Sequence, residues 1–174
     1  MSEAQTRTVR SGFPLLPWMW LGISVVVILL DWQSKQMASE SLVLYQSHVV
    51  FPWLNMTLAH NYGAAFSFLS NAGGWQRWLF ILLSSAVSLF LLVWLLRLPR
   101  NEWRSGLALG LVIGGAVGNL IDRVQLGYVV DFVDVIIRGW HYPAFNVADS
   151  AITVGVVLLL LDGVLQSFQQ EASE

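Results

Sequence analysis

Apolar residues in this chain run in long blocks, with no strict alternation and no narrow helical stripe. Four blocks stand out: 15–30, which continues toward Met37, then 75–96, 107–121 and 151–165. A helix rises about 1.5 Å per residue, so about 20 residues cross a bilayer core. The second block reaches that length alone. The third and fourth reach it only if flanking polar residues lie inside the membrane boundary, where polar groups are costly and mark function. The pattern predicts an all-α integral membrane protein, a single membrane domain over 1–174. Its four transmembrane helices are expected near 15–37, 75–96, 105–123 and 149–167, with loops at 38–74 and 124–148.

The loops are patterned too. Residues 42–45, 49–53 and 56–59 are β-prone. Pro52 has no N–H to give a ladder, so it makes the middle run an edge or bent strand. A small β-sheet lying on the membrane surface is expected there. Residues 128–137, YVVDFVDVII, read equally as a strand or a short interfacial helix, because periodicity does not decide between them.

Composition agrees with a membrane class: 56% of residues are hydrophobic and 11% charged, against about 25% charged in soluble domains. The nine tryptophans suit membrane interfaces. A net charge of -2 leaves no basic footprint for nucleic acid. With no cysteine there is no disulfide framework, thiolate metal site or cysteine nucleophile. The first block reads as a retained span and not as a cleaved leader: no small-x-small site follows it, and Asp31, Gln33, Ser34 and Lys35 come next.

Arg7 and Arg10 precede the first span, and Arg97, Arg100 and Arg104 separate the second from the third. Four spans put both segments on one side, which the inside bias of basic residues makes cytoplasmic. Both termini are then inside and both long loops extracytoplasmic. The acidic tail after Ser167 is expected to be disordered.

This orientation collects the polar residues at the outer end: Asp31, Asn119, Asp122, Arg123, Asp131, Asp134, Asn146 and Asp149. Asn119, Asp122 and Arg123 fall at i, i+3 and i+4 and share a helix face. They form either an ion pair that anchors the helix end, or a set in which Arg123 orients a substrate carbonyl or a carboxylate. Gly110, Gly114 and Gly118 form a row, continued by Asp122, that lets another helix approach closely. Asp149 reads equally as a helix N-cap or a catalyst. Asp131 lies among Val129, Val130, Phe132 and Val133, and desolvation there raises a carboxyl pKa. Two close carboxylates share a proton, so one activates water while the other protonates the substrate. Asp131 and Asp149 are the pair whose contexts fit this; Asp134 is the weaker candidate.

Other chemistries fit less well. There is no HExxH and no Gly-x-Gly-Asp, and His48, His60 and His141 are scattered as loop or interface residues. Ser34 and Lys35 are adjacent, so on a helix they do not face each other, while Lys35 is i+4 from Asp31 and reads as its ion-pair partner. An ion- or proton-coupled transporter is the main alternative, although such sites lie near the midplane between repeated halves. A non-catalytic assembly factor is a third reading.

Five segments in order carry a family resemblance: Asp31-Trp-Gln-Ser-Lys35, Asn61-Tyr-Gly-Ala-Ala-Phe-Ser67, Gly118-Asn-Leu-Ile-Asp-Arg123, Val130-Asp-Phe132 and Phe145-Asn-Val-Ala-Asp-Ser150. With them the chain resembles the lipoprotein signal peptidase, or signal peptidase II, family. The resemblance implies an aspartic endopeptidase of the bacterial cytoplasmic (inner) membrane. Such an enzyme removes the signal peptide from diacylglyceryl-modified prolipoproteins, cutting before the lipidated cysteine. It maps the catalytic dyad onto Asp131 and Asp149 and the surrounding polar shell onto Asn61, Asn119, Arg123 and Asn146. Asp31, Lys35, Gly63 and Asp122 are counted with the supporting or substrate-binding residues. Lipidated precursors and membrane lipids are the implied partners, with no nucleic acid and no metal or organic cofactor. The sheet at 42–59 and the loop at 61–67 are expected to cover the site.

Overall fold

The computed structural model describes residues 16–63 and 73–171. The expectations for Arg7, Arg10, residues 64–67 and Glu174 lie outside the described residues. Four helices are long and apolar enough to cross a membrane: α1 (Leu21–Ser41), α2 (Trp75–Arg97), α3 (Trp103–Gln125) and α4 (Val147–Glu171). Four strands, β1 (Ser47–Phe51), β2 (Leu54–Asn61), β3 (Val129–Ile137) and β4 (Trp140–His141), make one antiparallel sheet in that order.

Several boundaries differ from the sequence expectation for physical reasons. A 3-10 turn, Pro17–Trp20, leads into α1 and carries proline at its start, where a missing N–H costs nothing. Helix α1 then continues to Ser41, because Asp31 and Lys35 find partners inside the protein and do not break it. Residues 42–45 therefore form no strand. Leu44 makes only an isolated bridge to Leu58, and Tyr45 sits at a φ of 60°. Pro52 belongs to the two-residue turn between β1 and β2 and not to an edge strand, which removes any need for its N–H. Residues 129–137 are a strand: β2 pairs along one edge, and β4 and Phe145 pair on the other. The β3–β4 turn places Arg138 and Gly139 at φ values of 52° and 82°, as the tight primed hairpin turn requires. The fourth helix runs to Glu171, four residues beyond the span end expected at 167.

Helix α3 is the axis of the bundle and packs against α1, α2 and α4. Leu91 and Leu95 from α2 meet Leu109, Val112 and Ile113 from α3 in the main apolar cluster. On the outer faces, Leu82, Phe90 and Leu160 are more than 60% exposed, an apolar surface of the kind that lies against lipid. Glycine spacing governs how closely α3 is approached. A Cβ on Gly110 would lie 2.7 Å from the Trp20 carbonyl oxygen, and one on Gly114 would lie 2.9 Å from Ser24 Cα. One on Gly118 would lie 2.7 Å from Asp31 Oδ2. The row thus runs along α1 and ends where Asp122 meets Lys35. Gly115 faces the other way, against Ala148 and Ile152 of α4.

Candidate active site

Seven of the eight polar residues expected at the outer end, all but Asp134, converge where α1, α3 and α4 meet β3. Asp131 is in β3 opposite Ala59 of β2 and is only 2% exposed. Its Oδ1 accepts Asn146 Nδ2–H at 2.7 Å and its Oδ2 accepts Asn61 Nδ2–H at 3.0 Å. Burial pushes this carboxyl up to about 7. The charge of Asp149 adds to the rise, while the Asn61 and Asn146 amides and Lys35 oppose it.

Asp149 lies in the first turn of α4. Its Oδ1 accepts Asn119 Nδ2–H at 2.8 Å and its Oδ2 accepts the Asn146 backbone N–H at 3.3 Å. The Asp149 N–H donates in turn to Asn146 Oδ1 at 2.9 Å. The helix cap is therefore Asn146, and Asp149 closes the reciprocal half of a capping box. Asp149 serves the helix end and also faces the site, so cap and site residue are not exclusive here. Asn146 is fully buried and touches both carboxylates.

Beneath this pair lies a second set. Lys35 Nζ is 2.7 Å from Asp31 Oδ2, 2.9 Å from Asp122 Oδ2 and 3.0 Å from Asn119 Oδ1. Asp31 also accepts the Ala148 N–H, and Asp122 accepts the Val130 N–H. Of the two readings of Arg123, the ion pair with Asp122 is not formed. Its guanidinium donates to the Asn119 carbonyl at 3.3 Å and the Gly63 carbonyl at 2.9 Å, and it lies over the Phe80 ring. Gly63 in turn donates its N–H to Asn61 Oδ1.

Asp134 is not part of this network. It accepts from Asn55, Thr57 and the His141 ring on the sheet. Ser34 Oγ–H donates to the Asp31 backbone carbonyl within α1. The sequence reading missed Arg77, which donates to the Arg123 and Val124 carbonyls and so satisfies the C-terminal end of α3. Its signal was available: an arginine in the first turn of an otherwise apolar span, at the opposite end from Arg97. The His141–Asp134 pairing was also missed. Among the described residues no group of three or more His, Asp or Glu converges as a metal-binding cluster.

A family model described as signal peptidase (SPase) II matches residues 23–165. A lipoprotein signal peptidase of Acinetobacter baumannii is 55% identical over 143 residues, covering 82% of this chain and 81% of the relative. One from Pseudomonas putida is 55% identical over 152 residues, covering 86% and 88%. A solved structure described as a bacterial membrane enzyme, determined by the in meso method at 2.3 Å resolution, superposes with a TM-score of 0.77. It is 32% identical and the match covers 86% of this chain and 89% of that one. Spans, sheet and sequence agree over most of the length, and the chain belongs to the signal peptidase II family, as a multi-pass protease of the bacterial inner membrane.

Proposed function

We propose that this protein is the endopeptidase that removes signal peptides from diacylglyceryl-modified prolipoproteins, with Asp131 and Asp149 as its catalytic pair. The observation that carries the assignment is Asn146, one buried residue whose side-chain amide donates to Asp131 and whose backbone N–H donates to Asp149. Two carboxylates so joined share one proton. Asp131 holds it, since burial keeps its carboxyl protonated to about pH 7. Asp149 is assigned the role of proton acceptor, in the first turn of a helix whose dipole favours negative charge.

In this reading Asp149 takes a proton from water, which attacks the scissile carbonyl. Asp131 gives its proton to the leaving amide nitrogen, and the proton taken up by Asp149 then passes to Asp131, which restores the starting state. The lipid anchor of the substrate fixes the depth at which the peptide bond arrives and removes much of the entropic barrier. Asn61 and Asn119 hold the carboxylates, Arg123 holds the Gly63 carbonyl, and Asp31, Lys35 and Asp122 support the two backbones. The termini and the 97–104 loop are cytoplasmic and the site is extracytoplasmic, by the arginine distribution. The cluster lies at one end of the bundle and no internal repeat relates its halves, so no observation favours a transporter.

The test is cleavage by purified protein in detergent. A diacylglyceryl-modified precursor should be cut before its lipidated cysteine, and the same precursor without lipid should be cut far more slowly. Failure to cut the lipidated precursor would overturn the assignment.

A further inference from the structure

We propose that Lys35 is the positioning residue of the aspartate pair: its ammonium binds two carboxylates, each of which grips the backbone N–H of the residue just before one of the two aspartates. The inference rests on the Asp131–Asp149 reading and extends it to a residue that touches neither.

An ammonium has three donors and no acceptor. Lys35 is 2% exposed and spends all three inside the protein, on Asp31 at 2.7 Å, Asp122 at 2.9 Å and Asn119 at 3.0 Å. Each arm ends at the pair. Through Asp31 Oδ1, 2.9 Å from the Ala148 nitrogen, it reaches the residue before Asp149. Through Asp122 Oδ2, 3.1 Å from the Val130 nitrogen, it reaches the residue before Asp131.

The third arm sets the sense of an amide. Lys35 can only donate, so Asn119 must turn Oδ1 toward it and Nδ2 toward Asp149, to which it donates at 2.8 Å. The same Oδ1 accepts Asn146 Nδ2–H at 3.1 Å, the group that also donates to Asp131. A simple i,i+4 ion pair within α1 would need the first arm only. Here one cation links α1 and α3 to the strand and the helix that carry the carboxylates, and it offsets two buried negative charges that would otherwise repel. Among the described residues, the other charged groups acting on Asp131 are Asp149 and Arg123.

The test compares Lys35→Met and Lys35→Arg with the wild type on a diacylglyceryl-modified precursor. It measures kcat, KM and the pH–rate profile per folded molecule, with folded fraction read by size exclusion in detergent. Lys35→Met should lose about 10²-fold in kcat, the scale of a small misplacement of reacting groups, with KM little changed. Its alkaline limb should move to higher pH, because a cation that favours ionisation of the pair is gone. Lys35→Arg should keep the limb in place and still lose kcat, since a planar fork cannot reach three partners arranged around one nitrogen.

If Lys35→Met does not fold, Lys35→Met with Asp122→Asn removes one charge of each sign and is expected to show the same kcat loss. Full kcat per folded molecule in Lys35→Met or in Lys35→Arg, or an unmoved limb in Lys35→Met, would overturn the proposal. Asp131→Asn is run beside them: cleavage by that variant would defeat the dyad reading itself and separate the two failures.

Discussion

Gly114 and Gly163 are both helical glycines, yet replacing each by alanine should act with opposite sign. A Cβ on Gly114 would lie 2.8 Å from Val27 Cβ and 2.9 Å from both Ser24 Cα and the Ser24 carbonyl oxygen. Carbon atoms prefer a separation of about 3.5–4.0 Å, so the shortfall is roughly 1 Å. Two of those three atoms are backbone, so no rotamer change relieves the contact and α1 must retreat. Overpacking of this kind costs about 1–3 kcal/mol. The retreat also stretches the 2.8 Å bond from Ser24 Oγ to the Gly110 carbonyl, worth about 1 kcal/mol. The better helix propensity of alanine returns about 1 kcal/mol. The net loss of about 1–3 kcal/mol lowers Tm by about 2–12 °C for a chain of this size.

Gly163 has nothing within 4 Å of its added Cβ, so only the propensity gain remains and Tm should rise by about 2–4 °C. Both are read by thermal unfolding in one detergent. Asp31 lies two turns along α1 from Ser24, so Gly114→Ala should also lower cleavage at temperatures where it is folded. A Tm for Gly114→Ala at or above wild type would mean that the glycine row faces lipid and would refute the packing argument.

Asp131→Asn should remove a pH dependence of stability, so that the variant gains relative to the wild type between pH 4 and pH 8. The folded carboxyl holds its proton to about 7 against an ordinary value of 3.8, so wild-type stability falls as pH rises through that window, and asparagine has no proton to lose; unfolding midpoints at pH 4 and pH 8 check this. Ser105→Ala removes a 2.6 Å bond to Asp162, a carboxylate that is 5% exposed, and should cost about 1–3 kcal/mol in stability with KM for cleavage unchanged. Reporter fusions at Glu102 and Tyr142 should report opposite sides, with Glu102 cytoplasmic; the same side for both would sink the four-span topology.

What the sequence displayed and what it hid divide along a physical line. Contacts within one helix are legible, because i,i+4 spacing alone puts Lys35 beside Asp31 and lines up Gly114, Gly118 and Asp122. Contacts of a side chain with the backbone of a distant element leave no residue-type signal. Asp31 grips the Ala148 N–H, Asp122 the Val130 N–H and Arg123 the Gly63 carbonyl, and any residue could supply those backbone groups. The side-chain pair of Asp122 with Lys35 joins two helices far apart in sequence, so spacing along α3 leaves an ion pair with Arg123 as one open reading, whereas Lys35 reaches Asp122 from α1. Residues 128–137 are ambiguous in sequence because a buried strand and a short interfacial helix share one composition; pairing of β3 with β2 decides it. Pro52 was read as a strand irregularity because the two-residue turn around it is visible only once β1 and β2 are in register.

The central claim is that Asp131 and Asp149 act as one unit, and the direct measurement is the cleavage rate of Asp131→Asn, Asp149→Asn and the double variant on a diacylglyceryl-modified precursor. Acid–base catalysis contributes about 10²–10⁴-fold per group, and groups that act together lose most of it when either is removed. Each single variant should therefore be folded, nearly inactive and as slow as the double. Ser34→Ala, whose hydroxyl only bonds the Asp31 carbonyl within its own helix, should cleave normally. An active Asp131→Asn beside an inactive Ser34→Ala would contradict the account.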